Sequence, residues 1–176
     1  TLSTGETVLS FDGTNDYVDC GNGSSLQFGA TTDFTVAVWV KSLNITNSPV
    51  LVWKGGSGTT KGFYLRQSTK YIAVINDGTT KIEHDFNLIP LLSEWQYYVV
   101  TFDRDGYMRG YLNGVEANNP KNISMVGDIN TTDILTIGQG GNYYLNGSLD
   151  DVRIYNRALS ADEIQALYSS SAGRYH

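Results

Sequence analysis

The chain has 176 residues, 12 of them basic and 18 acidic, giving a formal charge of −6 with a single cysteine. That length suits one domain spanning residues 1–176, able to bury about 70% of its unfolded surface. The acidic balance and the lack of any dense Lys/Arg run exclude the electrostatic footprint of a nucleic-acid binder, and no apolar run approaches the ~20 residues of a membrane span. Cys20, alone, forms no intrachain disulfide and is expected to be a small packed hydrophobe.

Val8 to Phe11 is the first predicted strand, and Asp12-Gly13-Thr14-Asn15-Asp16 after it consists of turn-forming residue types. Tyr17, Val18 and Cys20 resume an extended segment. Phe34 to Lys41 shows the cleanest period of two, with Phe34, Val36, Val38 and Val40 predicted inward and Thr35, Ala37, Trp39 and Lys41 outward. Val50 to Lys54 is a further strand. Gly55-Gly56-Ser57-Gly58 reads as a flexible loop, and it lacks both the following Lys-Ser/Thr and the helix pattern of a phosphate cradle. Phe63 and Leu65 alternate with Tyr64 and Arg66, and Ile72 and Val74 with Tyr71 and Ala73; Asn76-Asp77-Gly78 then turns the chain into Lys81-Ile82-Glu83. In the next strand Tyr98, Val100 and Phe102 oppose Trp95, Tyr97, Val99 and Thr101. Met108 and Leu112 oppose Tyr107, Arg109 and Tyr111 before the hairpin signal Asn113-Gly114. Ile134 to Ile137 and Val152 to Tyr155 complete the strands, with residues 138–146 expected as a loop between them.

One helix is legible, at the C-terminal end. Ser160 and Glu163 form a capping box that starts it at Ala161, and Ile164, Leu167 and Tyr168 give it one apolar stripe to lay on a sheet. The Ser/Gly run after Tyr168 is expected to end it. About a dozen short strands and no strand–helix alternation predict an all-β fold, two antiparallel sheets packed as a sandwich with one short C-terminal helix.

Six ordered segments carry a family resemblance: VLSFDGTNDYVDCG at 8–21, DFTVAVWVK at 33–41, EWQYYVVTFD at 94–103, YLNG at 111–114, ILTIGQG at 134–140 and GSLDDVRIYNRALSADEIQALY at 147–168. In these the chain resembles the laminin G-like jelly-roll domains of the concanavalin A-like lectin/glucanase superfamily. The sequence departs from that pattern at Tyr97-Tyr98, where members often carry His and a small apolar residue. The resemblance implies a jelly roll with a convex back and a concave front, and glycans bound on the concave face or its rim loops. It also implies a structural calcium shared by Asp12 and Asp150. Read from the residues alone, Asp12, Asn15, Asp16 and Asp150 supply the oxygen ligands a hard cation takes, and Asp12 and Asn15 serve equally as turn formers bonded to their own backbone.

Hydrolysis is not expected. The superfamily's glucanases present their carboxylates as Glu-x-Asp-x-x-Glu, and the nearest stretch here, Glu83-His84-Asp85-Phe86-Asn87-Leu88, ends in leucine. His84 and His176 are isolated, and no Cys/His cluster offers a zinc site. Sugar rings stack on flat side chains while their hydroxyls seek planar donors and acceptors. Trp39, Tyr64, Arg66, Tyr97, Arg109 and Tyr111 all alternate away from the apolar core, so they are expected to converge on a glycan groove, with Asn142 and Tyr143 in the 139–144 rim loop closing one end. The competing reading places Trp39 and Trp95 packed under loops. The functional expectation is a non-catalytic, extracellular or cell-surface module that binds a polysaccharide or glycan within a longer carbohydrate-active enzyme or adhesin. The alternative is a protein-binding or structural adhesion module without glycan binding.

Overall fold

A computed structural model describes residues 7–175; His176 lies outside them. In chain order the strands are β1 (Leu9–Asp12), β2 (Val18–Asp19), β3 (Phe34–Asn44), β4 (Val50–Gly55), β5 (Gly62–Gln67), β6 (Tyr71–Asn76), β7 (Lys81–Asp85), β8 (Gln96–Phe102), β9 (Tyr107–Leu112), β10 (Val115–Glu116), β11 (Lys121–Asn122), β12 (Thr136–Ile137), β13 (Gln139–Gly140), β14 (Tyr143–Tyr144) and β15 (Asn146–Tyr155), followed by helix α1 (Ala161–Ser171). A seven-stranded sheet runs β1-β15-β3-β8-β9-β10, with β11 also paired to β9. Facing it is a six-stranded sheet, β2-β12-β4-β5-β6-β7, and all the pairings are antiparallel.

In β3, β5 and β8 the core between the sheets is the one the alternation predicts, whereas in β6 Tyr71, Ala73 and Ile75 face inward and Ile72 and Val74 outward, the reverse of the order expected. Phe34, Val36, Val38 and Val40 of β3 and Tyr98, Val100 and Phe102 of β8 meet Phe63 and Leu65 of β5 and Tyr71, Ala73 and Ile75 of β6. Successive side chains of a strand point to opposite faces, so one residue type pattern fills this layer from both sides. Phe28, Phe34 and Phe102 stack with centroids 4.4 and 4.2 Å apart.

The predicted helix is present, with both hydrogen bonds of the Ser160–Glu163 capping box. It continues to Ser171 rather than ending after Tyr168, because the Ser171 hydroxyl finds partners at both ends: it donates to the Leu167 carbonyl (2.8 Å) and accepts from the Trp39 indole N–H (3.1 Å). The Asn113-Gly114 hairpin is also as predicted, with Leu112 paired to Val115. Three local expectations differ. Residues 138–146 contain the β13–β14 hairpin. Cys20 is exposed, just past the two-residue edge strand β2. The glycine loop after β4 is pinned, not flexible: Gly56 N–H donates to Lys61 O (2.9 Å), and the Asn76 amide holds Gly58 O (2.9 Å). At its base Gly55 and Gly62 pair with φ of 70° and 132°, and a Cβ on either would come within 2.1 and 1.8 Å of a backbone oxygen. Only glycine fits there.

Candidate functional site

The two outer faces of the sandwich differ in what covers them. On the seven-stranded sheet, α1 lays Ile164, Leu167 and Tyr168 over Ala37, Trp39, Tyr97, Val99 and Tyr111. Trp39, Tyr97 and Tyr111 are consequently 0, 1 and 2% exposed. Tyr175 closes this layer: its ring stacks on Trp39 at 4.0 Å and meets Trp95 at 5.1 Å, while its hydroxyl donates to Asp150 Oδ2 (2.8 Å). The expectation that Trp39, Tyr97 and Tyr111 line an open groove is therefore corrected. They form a second, smaller core beneath the helix whose apolar stripe required such a surface. Arg109, at the margin of the same face, is paired to Glu116 (2.8 Å), which also accepts from the Tyr111 hydroxyl (3.4 Å).

The outer face of the six-stranded sheet has no helix over it. Register places Val50 beside Arg66 and Trp53 beside Tyr64, so these four side chains form two successive cross-strand pairs on β4 and β5. The β13–β14 hairpin leans over them. Gly140 lies so close that a Cβ there would stand 2.8 Å from Trp53 Cδ1 and 3.0 Å from Val50 Cγ1. Between hairpin and sheet is a cleft of about 300 Å³ lined by Ser48, Val50, Trp53, Ser57, Tyr64, Arg66, Gly140, Gly141 and Tyr143. Three of the expected residues, Tyr64, Arg66 and Tyr143, thus come together. Trp53 joins them without having been singled out: an irregularity between Val50 and Val52 shifts the alternation of β4 and hides its outward direction.

The cleft's polar end is a charge relay on the surface of β5, β6 and β7. Arg66 Nη2 is ion-paired with Glu83 Oε1, Lys81 Nζ lies 3.2 Å from Glu83 Oε2, and the same ammonium stands 6.0 Å from the Tyr64 ring centroid. Burial pushes the Glu83 carboxyl up, but the hydrogen bonds and charges of Arg66 and Lys81 outweigh it and hold the group below the usual carboxylate range. Asp85, two residues along the same strand, is pushed up by desolvation, which the Asn87 N–H and Lys70 together outweigh, so it too is held below the usual range. A general acid for glycoside cleavage needs a raised pKa, and both carboxylates move the other way.

Asn142 is not part of this cleft. It lines a separate polar recess of about 140 Å³ with Asp12, Asn44, Thr46, Tyr144 and Asn146. Asp12 pairs with Asn146 across β1 and β15, whereas Asp150 lies four residues further along β15, about 13 Å away at the rise of a strand. Asp12 Oδ1 accepts from Thr14 N–H (2.7 Å), and Asp150 is engaged by Tyr175 and, at 3.5 Å, by Arg174. Asp12 and Asp150 therefore do not fit as ligands of one shared ion, which corrects that expectation. Among the described residues no group of three or more His, Cys, Asp or Glu side chains is gathered to hold a metal.

A two-sheet antiparallel sandwich with one outer face sealed by its C-terminal helix and a cleft on the other is the architecture of a jelly-roll domain of the lectin-like class. The chain belongs to the concanavalin A-like lectin/glucanases superfamily, whose laminin G-type model matches residues 12–165. Among solved structures it is similar to the binding domain of Paraclostridial Mosquitocidal Protein 1 (TM-score 0.77, 19% identity, 90% of this chain and 42% of that one). It is also similar to the botulinum neurotoxin serotype D ligand-binding domain in complex with N-acetylneuraminic acid (TM-score 0.72, 16% identity, 97% and 45%). A third is the heptameric SAP-like pentraxin of Limulus polyphemus (TM-score 0.67, 17% identity, 90% and 80%). The chain spans less than half the length of the two toxin domains. No curated protein sequence matches it.

Proposed function

We propose that the chain is a non-catalytic carbohydrate-binding module that takes its glycan in the cleft between the six-stranded sheet and the β13–β14 hairpin. The observation that carries this reading is the composition of the cleft: Trp53 and the exposed Tyr143 offer flat apolar surface beside the hydrogen-bonding Arg66, with Tyr64, 8% exposed, in the wall, on the outer face left open by α1. Stacking on sugar C–H faces and planar donors for hydroxyls are the two requirements of such a site. The complex of a structurally similar toxin domain with N-acetylneuraminic acid is consistent with it. The lowered pKa values of Glu83 and Asp85, with Leu88 where a further carboxylate would stand, support binding without hydrolysis. The reading includes a place outside the cell or at its surface, within a longer carbohydrate-active enzyme or adhesin. A glycan array followed by calorimetry of the hits tests it: the wild type binds at least one polysaccharide and Trp53→Ala does not, and an array without hits overturns it.

A second reading, a protein-binding adhesion module, draws on exposed Leu43 at the end of β3 and Ile89, Leu91 and Leu92 in the loop before β8, joined by the Ser93 N–H to Ser42 O bond (2.8 Å). Retention of binding partners after Trp53→Ala and their loss after Leu91→Ser/Leu92→Ser would favour it.

A further inference from the structure

Arg66 is the one charged side chain in the lining of the cleft, and its direction is set from outside the lining. On the outer face of the six-stranded sheet the register makes two adjacent rows about 7 Å apart, Val50, Arg66, Ile72 and Asp85 in one and Trp53, Tyr64, Val74 and Glu83 in the next. Lys81 stands one row further on, opposite Asn76. The carboxylate in Arg66's own row, Asp85, is already held by Lys70 (3.2 Å) and by the Asn87 N–H (3.1 Å). Arg66 instead crosses diagonally to Glu83 Oε1, and Lys81 comes from the other side to Glu83 Oε2 (3.2 Å). Val74 lies beneath this crossing. It is 0% exposed although no helix covers the face, so Tyr64 and the Arg66–Glu83–Lys81 bridge are its cover. Two cations on one carboxylate, with their aliphatic stems over a buried valine, hold Arg66 in one placement. Its remaining N–H donors have no partner among the described residues.

We infer that Glu83, which does not itself line the cleft, is a positioning residue for glycan binding: it holds the Arg66 guanidinium at the cleft wall with the unpaired N–H donors ready for sugar oxygens. This rests on the carbohydrate-binding reading and adds to it a residue outside the lining. An arginine that is already ordered does not lose its rotamer freedom when a ligand arrives, a difference of about two- to tenfold in affinity.

The probes are cellotetraose, xylotetraose, mannotetraose, laminaritetraose and a sialyllactose, titrated calorimetrically into the wild type and into Glu83→Ala, Glu83→Gln, Arg66→Met and Arg66→Met/Glu83→Ala. Glu83 is on the edge strand β7 with its side chain 37% exposed, so each variant is expected to fold, which urea denaturation checks. For the probe that binds, Arg66→Met is expected to weaken affinity at least about fivefold. Glu83→Ala leaves the donors in place and removes only what holds them, so it is expected to weaken affinity at least about threefold. Glu83→Gln keeps an acceptor of the same reach and should return affinity to within about twofold of wild type. With Arg66 already replaced, Glu83→Ala should change affinity by less than about 1.5-fold, a dependence that a general loosening of the sheet does not produce. Arg66→Met without effect, Glu83→Ala within twofold of wild type or tighter, Glu83→Gln as weak as Glu83→Ala, or equal losses with and without Arg66 would overturn this inference while leaving the carbohydrate-binding reading intact. Failure of every probe to bind would overturn both.

Discussion

Trp39→Ala separates a structural role for the sealed face from a ligand-binding one. Trp39 is fully buried, its ring stacked on Tyr175 and Tyr168 and tilted against Tyr97, and its N–H donated to Ser171. Large-to-small truncation of a buried aromatic costs about 3–5 kcal/mol, including the cavity left behind, and the orphaned Ser171 contact lies within that range. At about 2–4 °C per kcal/mol for a chain of this length, a loss of about 4 kcal/mol lowers the melting temperature by roughly 8–16 °C. Trp39→Phe keeps most of the ring stacking and loses the hydrogen bond, so it should cost only about 1–2 kcal/mol. Urea denaturation of wild type and both variants gives the stabilities, and titration of the folded variants with the best glycan from an array gives the affinities. Both variants should unfold at lower urea and, while folded, bind within twofold of wild type. A Trp39→Phe protein of unchanged stability that binds tenfold more weakly would refute the assignment of this face to the helix.

The open face should respond in the opposite sense. Tyr143 is 52% exposed, so Tyr143→Ala should shift stability by less than about 0.5 kcal/mol while weakening glycan binding in titration. Gly140→Ala drives a methyl into Trp53 and Val50, and it should cost about 1–3 kcal/mol in chemical denaturation and lower affinity by displacing the hairpin. Asp150→Asn weakens the acceptor of the Tyr175 hydroxyl; its loss of melting temperature should be equal in calcium and in chelator, whereas a calcium-dependent difference would return Asp150 to metal binding. Glu163, hydrogen-bonded by Arg157 and by the Ser160 N–H, is held down to about 2 from the usual 4.5. A depressed folded-state pKa gives stability that is present above pH 4.5 and lost as the pH falls towards 2. Melting temperatures of wild type and Glu163→Gln should therefore converge across that window and differ above it.

The sequence makes visible what local periodicity controls. The inward faces of β3 and β8 are read correctly because both are long, regular central strands in which in and out simply alternate. The α1 stripe was equally clear, and it carried unused information: a helix with an apolar face must cover something, and it covers the outward residues of β3 and β8. Alternation separates inside from outside without saying which of two sheets an outward residue belongs to, so Trp39 and Tyr64 looked equivalent although they lie on opposite sides of the molecule. Trp53 was masked by the β4 irregularity, and the two-residue strands of the β13–β14 hairpin are too short to have a period. The separation of Asp12 from Asp150 follows from the β1–β15 register, which long-range pairing fixes and neither strand encodes alone.

The Gly55–Gly62 pair has a consequence for how such a domain acquires new preferences. The loop's footing is set by two residues that tolerate no side chain, and the tip between them is tied to the sheet at one point, Gly58 O on the Asn76 amide, while the side chains of Ser57, Thr59 and Thr60 are exposed and Ser57 borders the cleft. Substitutions at Ser57, Thr59 and Thr60 change one end of the binding surface and leave the backbone bonds of the hairpin beneath in place. Those three side chains are the natural first target for a library that seeks altered selectivity while Gly58 stays fixed on Asn76.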